Sequence, residues 1–230
     1  MPPGQMMLVR SLFAVPMVFT LIAISGDVKK LPLLLNRLVL FRALFEMLID
    51  EIGFGMVFAQ TPDGPRVAHV ALLSTGNGAV QFHLSRGNAL ARHLARSTAL
   101  IVINGPDGYV SPRWYSDAEQ VPTWNYVALE LEGPVRRMDG DGTLALVSDL
   151  SNKFEARVAA GEPWTMDKLP AARLRGLLAG IVGFEMEIQS WRETVKLSQN
   201  KDSAERERLV QGLESEGSLA IARLMRSLGP

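Results

Sequence analysis

Two periodicities of apolar residues divide the chain. After an irregular start, Leu38, Phe41, Leu44, Phe45 and Leu48 recur at helical spacing and share one face, which predicts a helix ending near Gly53. From Phe54 the spacing becomes that of strands. Met56 to Ala59 and Arg66 to Leu73 read as strands joined by the turn chemistry of Thr61-Pro62-Asp63-Gly64. Gly76-Asn77-Gly78 predicts a hairpin, since glycine and asparagine tolerate the positive φ of a tight turn. The returning strand, Ala79 to Leu84, sets Val80, Phe82 and Leu84 against Gln81 and His83. Leu100 to Asn104 reads as a buried strand turned by Pro106-Asp107-Gly108, and Val127 to Val135 and Ile181 to Ile188 alternate as two more strands.

Helical spacing returns at Leu144, Val147, Leu150, Phe154 and Val158, predicting a helix that follows a turn at Asp139-Gly140-Asp141-Gly142 and ends near Gly161. Leu174, Leu177 and Leu178 mark a short helix. Asp202 and Glu205 have capping-box spacing ahead of a charged helix to about Gln211. Ile221, Leu224, Met225 and Leu228 share a face of a last helix, with Arg223 and Arg226 off it.

One stretch breaks both periods. Tyr109 to Tyr126 holds all 3 tyrosines, two of the 4 tryptophans (Trp114 and Trp124) and two prolines. Pro112 and Pro122 fix φ and remove backbone donors, so the segment is a shaped connection between strands. Stiff aromatic loops of this kind either cap a core or wall a pocket for a flat ligand.

Composition narrows the classes. With 24 basic and 24 acidic residues, the chain has no global field to recruit nucleic acid or an anionic membrane. The absence of cysteine excludes disulfides and thiolate chemistry and suits a reducing cytoplasm. His69, His83 and His93 are too few and too scattered to suggest a metal site, although His69 and His83 are placed to meet across strands. Leu12 to Ile24 is apolar but broken by Pro16, too short for a membrane span and without an Ala-x-Ala cleavage pattern. It reads as a buried strand or docked helix.

Ser85-Arg86-Gly87-Asn88 carries the most pointed chemistry. A strand ends there and Asn88 is a suitable N-cap for a helix over Ala89 to Arg96, where Leu90 and Leu94 sit one turn apart. A hydroxyl, a guanidinium and free amides at a helix start suit a phosphate. Taken alone, the four residues fit an ordinary capped helix with a solvated arginine at least as well.

Taken in order, Tyr109-Val-Ser-Pro-Arg-Trp-Tyr115, Val121-Pro-Thr-Trp-Asn-Tyr126, Ile181-Val-Gly-Phe-Glu185 and Lys196-Leu-Ser-Gln-Asn200 resemble the PaiB-like FMN-binding negative transcriptional regulators. The resemblance spans roughly Phe54 to Met225. It implies an α+β fold, mainly β with helices: a split β-barrel of the pyridoxamine-phosphate-oxidase-like, FMN-binding type with C-terminal helices, acting as a homodimer. The expected organisation is an apolar N-terminal segment over 1–52 packed on the barrel, a flavin-binding barrel over 53–190 and a C-terminal helical extension over 191–230. In the wider superfamily a strand-end Ser-Arg segment holds the FMN phosphate, and Ser85 and Arg86 match it.

FMN needs cations and hydroxyls for its phosphate, a flat apolar slot for its ring, and donors at the ring's polar edge. Arg66, Ser85, Arg86 and the amides near Asn88 are expected to meet the first need. Trp114, Trp124 and Tyr126 are expected to meet the second, and His69 or the backbone around Ala68 and Val70 the third. The resemblance adds Lys196 and Gln199. Two departures lie near this expected site: Ala68-His69 stands for the family's Ser-His, and Asn88-Ala89 for its Asn-Pro.

Three functions remain open on the sequence. They are an FMN-binding regulator, a flavin enzyme acting on a small substrate, and a cofactor-free dimeric interaction domain. No acid–base pair or nucleophile stands at catalytic spacing, so the enzyme reading rests on the cofactor's own chemistry. No helix-turn-helix or basic stripe is evident, so DNA binding rests on the family resemblance alone.

Overall fold

The computed structural model describes residues 48–117 and 119–228. The apolar N-terminal segment and most of the first expected helix lie outside the described residues. Residues 48–52 are helical and the helix stops at Gly53, as its spacing predicts.

Among the described residues eight strands follow: β1 (Phe54–Thr61), β2 (Gly64–Ala71), β3 (Leu73–Ser74), β4 (Ala79–Ser85), β5 (Thr98–Val110), β6 (Thr123–Arg137), β7 (Ile181–Glu187) and β8 (Ser190–Lys196). Four α-helices accompany them: α1 (Gly140–Glu155), α2 (Ala171–Ala179), α3 (Ser203–Ser215) and α4 (Leu219–Ser227). The strand order is β2-β1-β5-β6-β7-β4-β3, with β8 pairing to β6. The described chain forms two compact units, one running to Leu100 and including Glu132–Gln189, the other comprising Ile101–Leu131 with the residues from Ser190 onward.

In the first unit, β1 and β2 pair antiparallel from Phe54 opposite Ala71 to Thr61 opposite Gly64, which puts Pro62 and Asp63 in the turn. Gly76 (φ 72°) and Gly78 (φ 95°) carry the hairpin between β3 and β4, where an L side chain would be strained. The pairing of β4 with β7 places Phe82 opposite Phe184. Their rings stack with centroids 5.7 Å apart and form the centre of this core, with Val80, Leu84 and Met186 also buried. Alternation survives because only one face of β4 is dry. Helix α1 buries Leu146 and Leu150.

In the second unit, α3 and α4 bury Leu209, Val210, Leu213, Ile221, Ala222 and Met225. A Cβ at Gly108 of β5 would meet Leu213 and Ile221, so these helices lie close on that strand. Asp202 caps α3 by accepting from the Glu205 amide at 2.8 Å, in agreement with the capping spacing.

Several local expectations change. Pro106-Asp107-Gly108 is not a turn, because β5 runs unbroken through it. Its buried positions shift from Ala99, Ile101 and Ile103 to Gly108 and Val110, a one-residue change of phase of the kind a β-bulge makes, and this absorbs the proline. Asp139-Gly140-Asp141-Gly142 is a helix start: the Asp139 carboxylate accepts from the Gly142 amide at 2.7 Å, so α1 begins at Gly140. Strand β8 gave no sequence signal, since nearly all of it is exposed and neither face repeats.

Candidate functional site

The site is built outward from the end of β4. After Ser85 the chain turns, with the Asn88 amide donating to the Ser85 carbonyl and the Gly87 amide to the Ser85 hydroxyl. Asn88 caps the next element by accepting from the Leu90 amide at 2.9 Å. That element is a four-residue 3-10 turn, Ala89–Arg92, and not the helix over Ala89 to Arg96 that the spacing predicts. Leu90 and Leu94 are both fully buried and hold the turn down. So short an element has almost no macrodipole, so attraction for an anion at this turn must come from side chains.

Arg86 supplies it. Its amide donates to the Gly180 carbonyl at 2.9 Å and its Nε to the Ala179 carbonyl at 2.5 Å. Both bonds tie it to the junction of α2 and β7; the Nε bond holds the guanidinium and leaves its terminal nitrogens without an acceptor among the described residues. Ser85 is exposed beside it. A fixed guanidinium next to a hydroxyl is a donor set for a phosphate dianion, and these residues fit that end of FMN.

On β2, Ala68 and Val70 are buried while Arg66 and His69 are exposed. Arg66 donates to its neighbour's carbonyl at Pro65. His69 stands opposite Met56 in the ladder, whereas His83 stands opposite Gly183. The buried His83 Nδ1 accepts from and donates to nothing, His69 included, and burial pushes the pKa of its ring below the ordinary histidine value.

The remaining expected residues belong to the second unit. Trp124 is 53% exposed, with Tyr109 edge-on at 6.0 Å, and Tyr126 is exposed on the same face of β6. Flat apolar surface is therefore present. Trp114 lies against α3, where a Cβ at Gly212 would come within 2.2 Å of the indole. Lys196 Nζ bonds the Thr123 hydroxyl at 2.5 Å. The Gln199 side chain spends both ends locally, accepting from the Leu197 amide and donating to the Val195 carbonyl. Below it Ser198 (φ 55°) and the fully buried Asn125 exchange hydrogen bonds, which fixes the Lys196-to-Asn200 segment.

One residue that sequence reasoning did not single out stands beside Arg86. Arg137, the last residue of β6, lines the same cavity. Two consecutive arginines at a strand end, just before a helix-capping aspartate, were the available signal.

Comparison with known proteins identifies the family. Residues 42–190 match the model of a family described as "Putative FMN-binding domain". The chain belongs to this FMN-binding family. FMN is its cofactor, supplying a redox-active ring held by a phosphate-bearing tail. Among curated relatives, Protease synthase and sporulation protein PAI 2 of Bacillus subtilis is 29% identical over 172 residues, covering 73% of this chain and 82% of that one. The FAD and heme binding protein of Mycobacterium smegmatis superposes with a TM-score of 0.52 at 20% identity, covering 72% of this chain and 76% of that one. The flavocytochrome Anf3 of Azotobacter vinelandii gives 0.52 at 13% identity, covering 74% and 77%. These likenesses show the fold alone, a split β-barrel with C-terminal helices. Among the described residues no helix is long and apolar enough to cross a membrane.

Proposed function

We infer that this protein is a homodimeric, cytoplasmic FMN-binding regulator of the PaiB-like type, with the cofactor's phosphate on Ser85 and Arg86. The observation that carries this reading is the double anchoring of Arg86 to Ala179 and Gly180, which holds a guanidinium ready for a dianion beside the Ser85 hydroxyl. The sporulation relative from Bacillus supports the regulatory half. Tyr109, Trp124 and Tyr126 support the dimer, since they leave aromatic surface exposed on β5 and β6 that a second copy would bury.

The last helices offer few uncommitted cations for phosphate contacts. Arg208 pairs with Glu205 at 2.8 Å, Arg226 pairs with Glu207 at 2.9 Å and with Glu214, and buried Arg206 donates to the Leu197 and Met225 carbonyls. Arg206 and Arg226 spend their terminal nitrogens within the unit and Arg208 spends one, while exposed Arg223 pairs with no carboxylate among the described residues. Regulation through flavin state and a protein partner is the form this supports.

The test begins with the visible spectrum and light scattering of the purified protein, followed by a gel shift at two salt concentrations. A yellow dimer with weak DNA affinity is expected. A colourless protein that takes up no added FMN, or a species of only 25.2 kDa at micromolar concentration, would contradict the reading. Tight, salt-sensitive DNA binding would overturn the indirect output.

A further inference from the structure

Strand β6 ends in two arginines with different fates. Alternation sends them to opposite faces. Arg136 lies opposite Glu185 in the ladder and closes a salt bridge to it at 2.6 Å, with Nε adding a second bond at 3.0 Å. Arg137 lies opposite Phe184 and, among the described residues, pairs with no carboxylate. It walls a cavity of about 320 Å³ together with Arg86, Asp139, Thr143, Leu178 and Ile181. Liquid water occupies about 30 Å³ per molecule, so the space holds a tetrahedral oxyanion with its nearest waters.

The charge in this cavity is not balanced. Arg86 and Arg137 contribute two positive charges and Asp139 one negative, leaving a net of one positive. Asp139 is also committed elsewhere, because its carboxylate accepts the Gly142 amide as the cap of α1. The Met138 amide bonds the Gly183 carbonyl at 2.9 Å and the Thr143 hydroxyl bonds the Asp139 carbonyl at 2.7 Å, so the wall that presents Arg137 is tied down. Two forked cations from separate strand ends, with unspent donors and a fixed backbone, suit a phosphate dianion better than a single carboxylate.

We propose that Arg137 is a second phosphate-binding residue, and that with Arg86 it forms a two-guanidinium site in this cavity for the phosphomonoester of FMN. This rests on the reading that Ser85 and Arg86 hold that phosphate. Asp139 tunes the site by lowering its net charge.

The test is titration of apo-protein with FMN and with riboflavin, followed by flavin fluorescence, for wild type, Arg86→Ala, Arg137→Ala and Asp139→Asn. Thermal melting without ligand shows that each variant is folded, and Arg137→Lys is the second variant should Arg137→Ala fail to fold. A charge-assisted hydrogen bond is worth on the order of a ten- to hundredfold in affinity, so Arg137→Ala should lose about that much for FMN and nothing for riboflavin. Asp139→Asn, which keeps an N-cap, should bind FMN more tightly. If Arg137→Ala binds FMN like wild type while Arg86→Ala discriminates, the proposal falls and the cofactor reading stands. If neither variant discriminates FMN from riboflavin, both fall. If Arg137→Ala changes only protection of the protein by inorganic phosphate, the dianion is a free phosphate and the assignment to FMN is wrong.

Discussion

The indole of Trp114 presses on Gly212 so closely that a Cβ there would stand 2.2 Å from the ring. This contact joins the aromatic connection to α3. It also explains why a helix otherwise rich in good helix formers carries a glycine in its interior.

Replacing that glycine tests the contact. Alanine favours a helix by about 1 kcal/mol, but overpacking against a rigid indole costs about 1–3 kcal/mol, and an overlap this deep forces the ring to move. Gly212→Ala should therefore lower stability, with Tm falling about 2–4 °C per kcal/mol lost. In a Trp114→Leu background the same change should be neutral or stabilising. Thermal melts of the four proteins form the cycle that checks it.

Arg206 should matter more for stability than any paired surface arginine. It is buried, and it satisfies the carbonyls of Leu197 at 3.2 Å and Met225 at 2.8 Å, bridging the Lys196-to-Asn200 segment and α4. Arg206→Ala strands both carbonyls and should cost on the order of 2–4 kcal/mol in urea unfolding. Arg208→Ala, which breaks an exposed pair, should cost less than about 1 kcal/mol.

His83 makes stability depend on pH. Its folded pKa is lowered by burial, and its buried Nδ1 has no partner. The unfolded chain therefore takes up this proton first as pH falls. The contribution is fully present above the unfolded value of about 6.5 and is lost as pH drops through the folded value. Denaturant midpoints between pH 8 and pH 5 should fall for wild type, and His83→Leu should flatten that part of the curve.

Glu205 holds the aromatic connection from below. It accepts from the Ser116 amide at 3.1 Å and from the Ser116 hydroxyl, and the hydroxyl contact leads the causes that keep its carboxyl below the ordinary glutamate value, with Arg208 adding to it. Glu205→Ala should speed hydrogen exchange at Ser116 while leaving β4 protected. Equal loosening of both would assign Glu205 a global role instead.

Much of the sheet was legible because burial is one-sided. Val80, Phe82 and Leu84 alternate with wetter neighbours, so a period of two marks β4 without any knowledge of its partners. What depended on partners was not legible. Leu90 and Leu94 have α-helical spacing, yet the regular element is only the 3-10 turn Ala89–Arg92 and Leu94 lies beyond it, so their spacing reports burial and not helix length. Strand β8 has no dry face to read. Pro106 looked like a turn because a change of phase inside a strand shows only once burial is known. At the site, Ser85 and Arg86 carried a signal in their residue types. Arg137 carried little, since its place on the cavity wall follows from its lying opposite Phe184, while its neighbour Arg136 faces Glu185, a pairing across 49 positions.

The anchoring of the cofactor through Arg86 is tested most directly by measuring FMN and riboflavin affinities side by side for wild type and Arg86→Ala. Only FMN presents the dianion, so the variant should lose FMN by on the order of ten- to a hundredfold and keep riboflavin. Equal loss for the two flavins, or no loss for either, would contradict the assignment of the phosphate to Ser85 and Arg86.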